Sequence, residues 1–548
     1  MNYELRGNNL KINMNINMNT NKKIRNCILL LLAFFAGACT DWLDGALPRD
    51  KNLAETQYST VTGIHAALNG LYTRMTSTDL YGGRLTKTDV ELLAHYYYYN
   101  QNINQIEWSG YTRFKRISDY EYGYDDAKGA FNPIWTNGYK TIFEINSFIE
   151  QLEKSTVLAD ERKNLLLGEA YGLRAFIHFD LFRLYGGIVQ IENSLLTWAM
   201  PYNNSADVIS HSHLEPFDYL ELLLEDVEKA IFYLSNDPIL SIGIRDLRYD
   251  DAAATEQDVI FETYLRNYRM NYYAVQALKA RILMFYGSSL WGNSDVQSYA
   301  EDLVGAAASV ANQILEEAFG NGKIFNWAPL NILEERNRNY IFYEEVIFGL
   351  YNPDLYSQWR TYTSGSTRGS VYAVHSNNLR GNIFGNDLLS EGEPVFWDDR
   401  RAWQWIYSQV GDANYISQKY ERFEYTANNP KQYFQPLIRT SELFYIIAEA
   451  NLKFGNRDLA INILDNIYVM RGSPEGRVKN YAFSDEDVYS FLETEHYKEF
   501  YGEGQAWFYL KRQNAGSVFD VGISNSKVPI DDVTKYIPPR PQKEYDFE

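Results

Sequence analysis

"GEAYGLRAFIHFDLFRLYGG" occupies residues 168–187, inside the longer stretch "ADERKNLLLGEAYGLRAFIHFDLFRLYGG" at 159–187. It reads as one long helix, opened by Asp160 as a cap and closed by the Gly186–Gly187 pair. Helical spacing recurs on both sides of it. "TVTGIHAALNGLYTRM" (60–75) repeats Ala, Leu and Tyr at that period. "FNPIWTNGYKTIFEINSFIEQLEKS" (131–155) sets Ile134, Ile142, Ile145 and Ile149 near one stripe, with Trp135 and Tyr139 beside it. Further helices are expected at 216–234, 270–289, 298–317, 439–455 and 456–472. A last one at 484–512 can break near Gly502 or Gly504.

These helices form pairs with short turns. Small residues stand where partners must approach: Ala274, Ala277 and Ala280 in one helix, Ala306, Ala307 and Ala311 in the next. Paired helices of this size match the tetratricopeptide period, though degenerately, because long insertions separate the pairs. The expected fold is therefore mainly α, a scaffold of about four tetratricopeptide-like helix pairs. Its largest insertions fall at about 76–130, 235–268 and 319–436. They are rich in Tyr, Asn, Gly and Trp, and insertions in repeat scaffolds tend to gather on one face and carry function.

The N-terminus points to export. "NKKIRNC" is a positive n-region, "ILLLLAFFA" a short apolar run, and "AGAC" places small residues before Cys39. Initiation at Met18 gives a signal peptide of more usual length. The chain has two cysteines, Cys27 within that signal and Cys39 at its end, so the mature chain cannot close an internal disulfide. A lone Cys at a cleavage point reads as a lipobox, with Ala36 where Leu is commoner. The expected organisation is a signal peptide at 1–38, an acylated tether at 39–59 and a single domain at 60–548.

The net charge of −20 would repel phosphate backbones, so no nucleic-acid partner is expected. No Walker loop or Rossmann fingerprint occurs. "SGSTRGS" (364–370) lacks the strand and helix of a nucleophile elbow and reads as a loop. Glu493 and His496 make one Glu-x-x-His pair where a di-iron bundle needs two and more Glu. No cofactor and no metal are expected. The acidic pairs Asp125–Asp126, Asp250–Asp251, Asp398–Asp399 and Asp531–Asp532 read as turns or helix caps, since adjacent side chains do not face one sugar ring together.

"HYYYYNQNINQIEWSG" (95–110) raises a different question. Neither a strand nor a helix turns four successive rings onto one ordinary core face. Either both sides of Tyr96, Tyr97, Tyr98 and Tyr99 are buried, or some rings are on show. With 45 Tyr against 29 Phe, the chain favours rings that keep one end wet.

Several of these stretches together resemble the SusD/RagB family of surface nutrient-binding lipoproteins. The post-cysteine "CTDWLDGALP" with Asp41 and Asp44, "GLYTRM" (70–75) and "WTNGYKTIFEIN" (135–146) resemble its N-terminal part. The 168–187 stretch is close to its most specific signature through Glu169, Ala170, Leu173, Arg174, Ala175, Tyr185 and Gly186. "LIRTSELFYIIAEANLKFGN" (437–456), "EHYKEFYGEGQAWFYLKR" (495–512) and "YIPPRPQKE" (536–544) resemble its C-terminal part. His496, Ala506, Tyr509 and Arg540 depart from the family pattern, which often has Arg, Arg, Asp and an apolar residue there.

The resemblance implies a binding protein, not an enzyme, on the outer face of the outer membrane. Such proteins cover a SusC-like TonB-dependent transporter and pass glycans, or in one branch peptides, inward. A lipid anchor on Cys39 and a ligand site among the insertions follow from it. An all-α glycoside hydrolase is the alternative from another class. Composition and location, rather than any motif, make Arg84, Tyr96, Tyr97, Tyr98, Tyr99, Asn100, Trp108, Tyr111, Trp291 and Trp359 the candidate ligand contacts. Aromatic faces would cover a sugar ring while Asn, Gln and Arg bond to its hydroxyl rim. Trp397 reads as packing beside Asp398 and Arg400.

Overall fold

The computed structural model of the protein describes residues 56–97, 109–191, 194–209, 211–244, 260–330, 340–363, 399–407, 414–421, 430–520 and 527–545, with isolated positions between 374 and 384. By contacts the chain forms two units, 1–63 and 64–548. Of the first, the described residues open helix α1 (Val61–Met75). The signal and lipobox residues, Cys39 among them, lie outside the described residues.

Helices dominate, and four pairs close across short turns among the described residues. They are α2 (Asp125–Lys154) with α3 (Asp160–Tyr185), and α5 (Tyr272–Leu290) with α6 (Gln297–Ala318). Then come α7 (Thr440–Lys453) with α8 (Arg457–Met470), and α9 (Asp485–Glu499) with α10 (Ala506–Arg512). Helix α4 (Pro216–Tyr233) lies between α3 and α5. The mainly α, paired architecture expected from periodicity is what the structure has. Close approach needs small residues: a Cβ added to Gly287 of α5 would lie 2.7 Å from Val304 Cγ2 of α6. One to Gly172 of α3 would lie 2.5 Å from Met270 Cγ.

Helix α3, the stretch from which the reading began, is buried without a break from Leu165 to Tyr185. Ala159 takes the cap position and Asp160 stands in the first turn, where its charge favours the positive helix end. A helix buried all round must satisfy every polar group it carries. Glu169 Oε2 accepts from the Tyr72 hydroxyl at 2.8 Å and Oε1 from Arg266 at 2.6 Å. Arg174 forks onto Asp226. Asp180 accepts from Tyr81 at 2.7 Å and from Arg183 at 2.8 Å. His178 lies between the Tyr219 hydroxyl and the Asn203 carbonyl, and burial pushes it down to about 3. The charged residues of the signature stretch are thus bolts between helices.

Two strand pairs were not apparent in the sequence. β1 (Gly187–Ile191) and β2 (Ser194–Trp198) form a hairpin after α3. β3 (Val346–Tyr351) pairs antiparallel with β4 (Phe434–Arg439), which runs straight into α7. The strands close the base of the 319–436 insertion. A buried ion network fastens that insertion to the scaffold. Arg401 donates to Asp399, Glu495 and Glu499, and Arg471 forks onto Glu345 at 2.7 Å twice. Arg439 reaches Glu499 and Glu503; Lys419 reaches Glu503 at 2.6 Å and Lys498 reaches Glu495 at 3.2 Å. All ten side chains are buried, and five cations face five carboxylates.

The expected break in the last helix is real. Residues 500–505 separate α9 from α10, with Gly502 and Gly504 at φ +71° and +73°. Both glycine N–H groups donate to Glu91 Oε1, at 3.0 and 2.9 Å. A Cβ on Gly504 would fall 2.0 Å from the Leu85 carbonyl oxygen. Two positions that depart from the family pattern face each other here. His496 and Tyr509 stack at 3.9 Å and 19°. Asp126, Asp399 and Asp532 serve helix starts and turns, as expected of the acidic pairs.

Candidate functional site

Of the tyrosine run the structure describes Tyr96 and Tyr97, and both are buried. Tyr96 is buried between the rings of Tyr497 and Tyr501, at 4.7 and 5.1 Å, and its hydroxyl donates to the Tyr497 carbonyl. Tyr97 is buried against Phe114 and Tyr501, with its hydroxyl on the Lys87 carbonyl. His95 at φ +55° ends the short helix Asp89–Leu93 and leaves irregular backbone. Strand-like alternation therefore does not hold, and both rings turn into one core. Trp359 is also core, not surface. It is fully buried in the helix Leu355–Thr363, its Nε1 donates to the Ser417 carbonyl at 3.0 Å, and Tyr420 meets it edge-on. Tyr98, Tyr99, Asn100 and Trp108 lie outside the described residues, and Tyr111 falls in the helix Ser109–Ser118.

Arg84 sits in a different setting. Asp89, wholly buried, accepts from Arg84 NH1 at 2.7 Å on one oxygen and from Arg113 NH2 on the other. Arg84 Nε also donates to Asp79 Oδ1 at 3.0 Å, and Asn137 Nδ2 donates to the other Asp79 oxygen at 3.2 Å. Arg113 and Asp79 are about one third exposed, at 32% and 38%. One buried carboxylate thus presents two guanidinium planes toward the surface. Burial opposes the Arg84 charge, and Asp89 and Asp79 together more than restore it. Tyr362 joins the cluster. Its hydroxyl would lie 2.9 Å from a Cβ on Gly83. Burial and then Asp89 raise its pKa, against the pull of Arg84 and Arg113.

The cluster is rigid, polar and partly open. It offers guanidinium donors, a carboxylate acceptor and a phenol, the groups that read a rim of hydroxyls. Both carboxylates are engaged by guanidinium hydrogen bonds, so the arrangement does not resemble an acid–base pair spanning a sugar ring. Sequence reasoning named Arg84 as a candidate and did not name its neighbours Asp79, Asp89, Arg113, Asn137 and Tyr362. Asp79 and Asp89 flank Arg84 at five residues on either side, which was a readable signal. Arg113 and Tyr362 reach it only through the fold.

Trp291 is not brought to this cluster. It caps the C-terminal end of α5, half-buried, with Phe454 edge-on at 5.5 Å and the Lys453 ammonium 5.3 Å from its ring centre. It lines a separate groove of about 690 Å³ against α9 and the end of α10. Among the described residues no group of His, Cys, Asp and Glu is placed to hold a metal ion. No helix among them is long and apolar enough to cross a membrane.

Comparison with known proteins places this geometry. Residues 41–233 match the SusD-like_3 family, described as starch-binding and associating with the outer membrane. Residues 350–536 match the SusD_RagB family. SusD-like protein P2 of Formosa agariphila is 28% identical over 173 residues, which span 31% of each chain. SusD-like protein P38 of the same organism is 22% identical over 69% of this chain and 72% of its own length. The match thus spans about a third of one curated relative and most of another. A SusD superfamily protein from Bacteroides thetaiotaomicron superposes with a TM-score of 0.60 at 18% identity, over 89% of this chain and 98% of that one. A SusD-like carbohydrate binding protein from Bacteroides vulgatus superposes with a TM-score of 0.55 at 17% identity, over 84% of each. With both family regions matched and the paired-helix fold shared from end to end of its neighbours, the chain belongs to the SusD/RagB family.

Proposed function

We propose that the protein is a cell-surface glycan-binding lipoprotein that captures oligosaccharides or polysaccharides and delivers them to a SusC-like TonB-dependent outer-membrane transporter. It works by binding, without catalysis. The observation that carries this reading is the Arg84–Asp89–Arg113 cluster beside Tyr362, a preformed polar surface on the insertions. Preformed sites lose little ordering entropy on binding. Tyr98, Tyr99, Asn100 and Trp108 stand in the chain between Asp89 and Arg113, and we assign them, with Arg84 and Tyr111, as ligand contacts. Acylation at Cys39, after removal of 1–38, anchors the protein through the tether 39–59. The short apolar run and the small residues before Cys39 support this, as does the outer-membrane association of the matched family.

A glycan array probed with the mature chain tests the reading. The expected result is retention of at least one glycan, recovered uncleaved after incubation. Retention of peptides alone in a parallel pull-down would instead favour uptake of peptides, and release of shortened sugars would favour a hydrolase. The anchor is tested by Cys39→Ala and cell fractionation, which should move the protein out of the outer membrane.

A further inference from the structure

The groove at Trp291 is built from the scaffold, not from the insertions that hold the Arg84 cluster. Its walls come from the ends of α5, α7, α9 and α10. Its polar groups are incompletely matched. Glu493 Oε2 accepts from Lys527 at 2.7 Å, while Oε1 is buried without a hydrogen-bond partner. Asn514 Oδ1 is buried without one as well. Unmatched acceptors in a groove of this size call for donors from a ligand or from water.

Lys453 is the third group. Its side chain is 4% exposed, yet its hydrogen bond to Gln513 Oε1 is long at 3.4 Å and Glu449 Oε1 lies 4.0 Å away. Glu449 is already taken, accepting from Arg512 at 2.6 Å and from Ser288 at 2.5 Å. An ammonium carries three donors, so Lys453 is a buried cation with bonding capacity to spare. The Trp291 and Tyr489 rings stand 5.3 and 5.9 Å from it, and the Glu486 side chain lies at the exposed rim.

We propose that this groove binds a uronic-acid residue of a saccharide, with the carboxylate at Lys453, the ring along Trp291 and Tyr489, and hydroxyls donating to Glu493 Oε1 and Asn514 Oδ1. Each unmatched group then has a partner of the right polarity. A carboxylate is the strongest complement to a buried ammonium. A neutral sugar would leave Lys453 with only its long contacts to Gln513 and Glu449, and an apolar ligand would add no partner to any of the three groups. The inference rests on the proposed glycan function for the class of ligand, and on the groove for the place and the charge.

The test is titration calorimetry of the mature chain with short galacturonate and glucuronate oligosaccharides, their methyl esters, and the corresponding neutral oligosaccharides. The expected result is binding of an acid that weakens at least tenfold on esterification and at least tenfold in Lys453→Met and in Trp291→Ala. The ester comparison uses the unaltered protein, so it stands even where a variant folds poorly. Equal binding of acid and ester, or unchanged affinity in both folded variants, overturns the proposal. Neutral glycans binding while no uronate does overturns it alone. No saccharide of any kind binding overturns it together with the proposed function.

Discussion

Arg471 lies between Glu345 and Glu499 with no route to water. Desolvated pairs add little net stability, but removing one partner strands the others. Arg471→Met should therefore cost roughly 3–5 kcal/mol in urea denaturation. An effect under about 1 kcal/mol would mean the network is wetter than it looks. Tyr96 and Trp359 belong with these core residues. Trp359→Ala should cost about 3–5 kcal/mol and Tyr96→Phe about 1 kcal/mol, with glycan affinity unchanged in whatever stays folded. That outcome could not be read from "HYYYYN", because which way a ring points depends on the turn at His95. Titration adds an opposed pair of slopes. Burial raises Glu91 to about 8, although two glycine N–H groups and Lys419 oppose it. A raised carboxyl binds its proton more tightly folded than unfolded, so its contribution is full below pH 4.5 and is lost as pH rises toward 8. Burial lowers His178 to about 3 and His496 to about 4, so their contributions are lost as pH falls from 6.5. Glu91→Gln, measured by Tm against pH, should flatten the alkaline slope and leave the acid one. A slope unchanged by the substitution would show that Glu91 does not titrate there.

Helices α1 to α10 were legible from helical spacing and end signals, and the expected ends fall close to the observed ones. α2 begins earlier than its apolar stripe, at Asp125, where two acidic residues suit a helix start. The break before α10 was legible from its glycines. The β3–β4 pair was not, because its partners lie far apart in sequence and are buried on both faces, leaving no alternation to see. The break carries its own prediction. Gly504→Ala must both accept a positive φ and push its Cβ into the Leu85 carbonyl, so the turn has to move. It should destabilise by at least about 1–3 kcal/mol, and lowered protection of the 80–97 amides in hydrogen exchange would locate the damage. Normal stability would mean the turn has room that the contact distances deny.

The unit 64–548 is a stack of helix pairs carrying insertions, in a chain of net charge −20. That fold is shared widely among its relatives, and a shared fold does not name a ligand. The candidate site was only partly legible for the same reason. Its recognisable member, Arg84, lies in one segment, while Arg113 and Tyr362 arrive from others and are marked by no motif. We propose binding rather than catalysis, with the Arg84–Asp89–Arg113 surface as the site. The most direct measurement is calorimetry of an array-selected neutral glycan against the unaltered chain, Arg113→Ala and Trp108→Ala, with Tm recorded for each. Loss of a charge-assisted bond or of a stacking ring should remove about 1–3 kcal/mol, roughly a five- to 150-fold drop in affinity, with Tm nearly unchanged in Trp108→Ala. Undiminished affinity in both variants would contradict the account and move the site away from this surface.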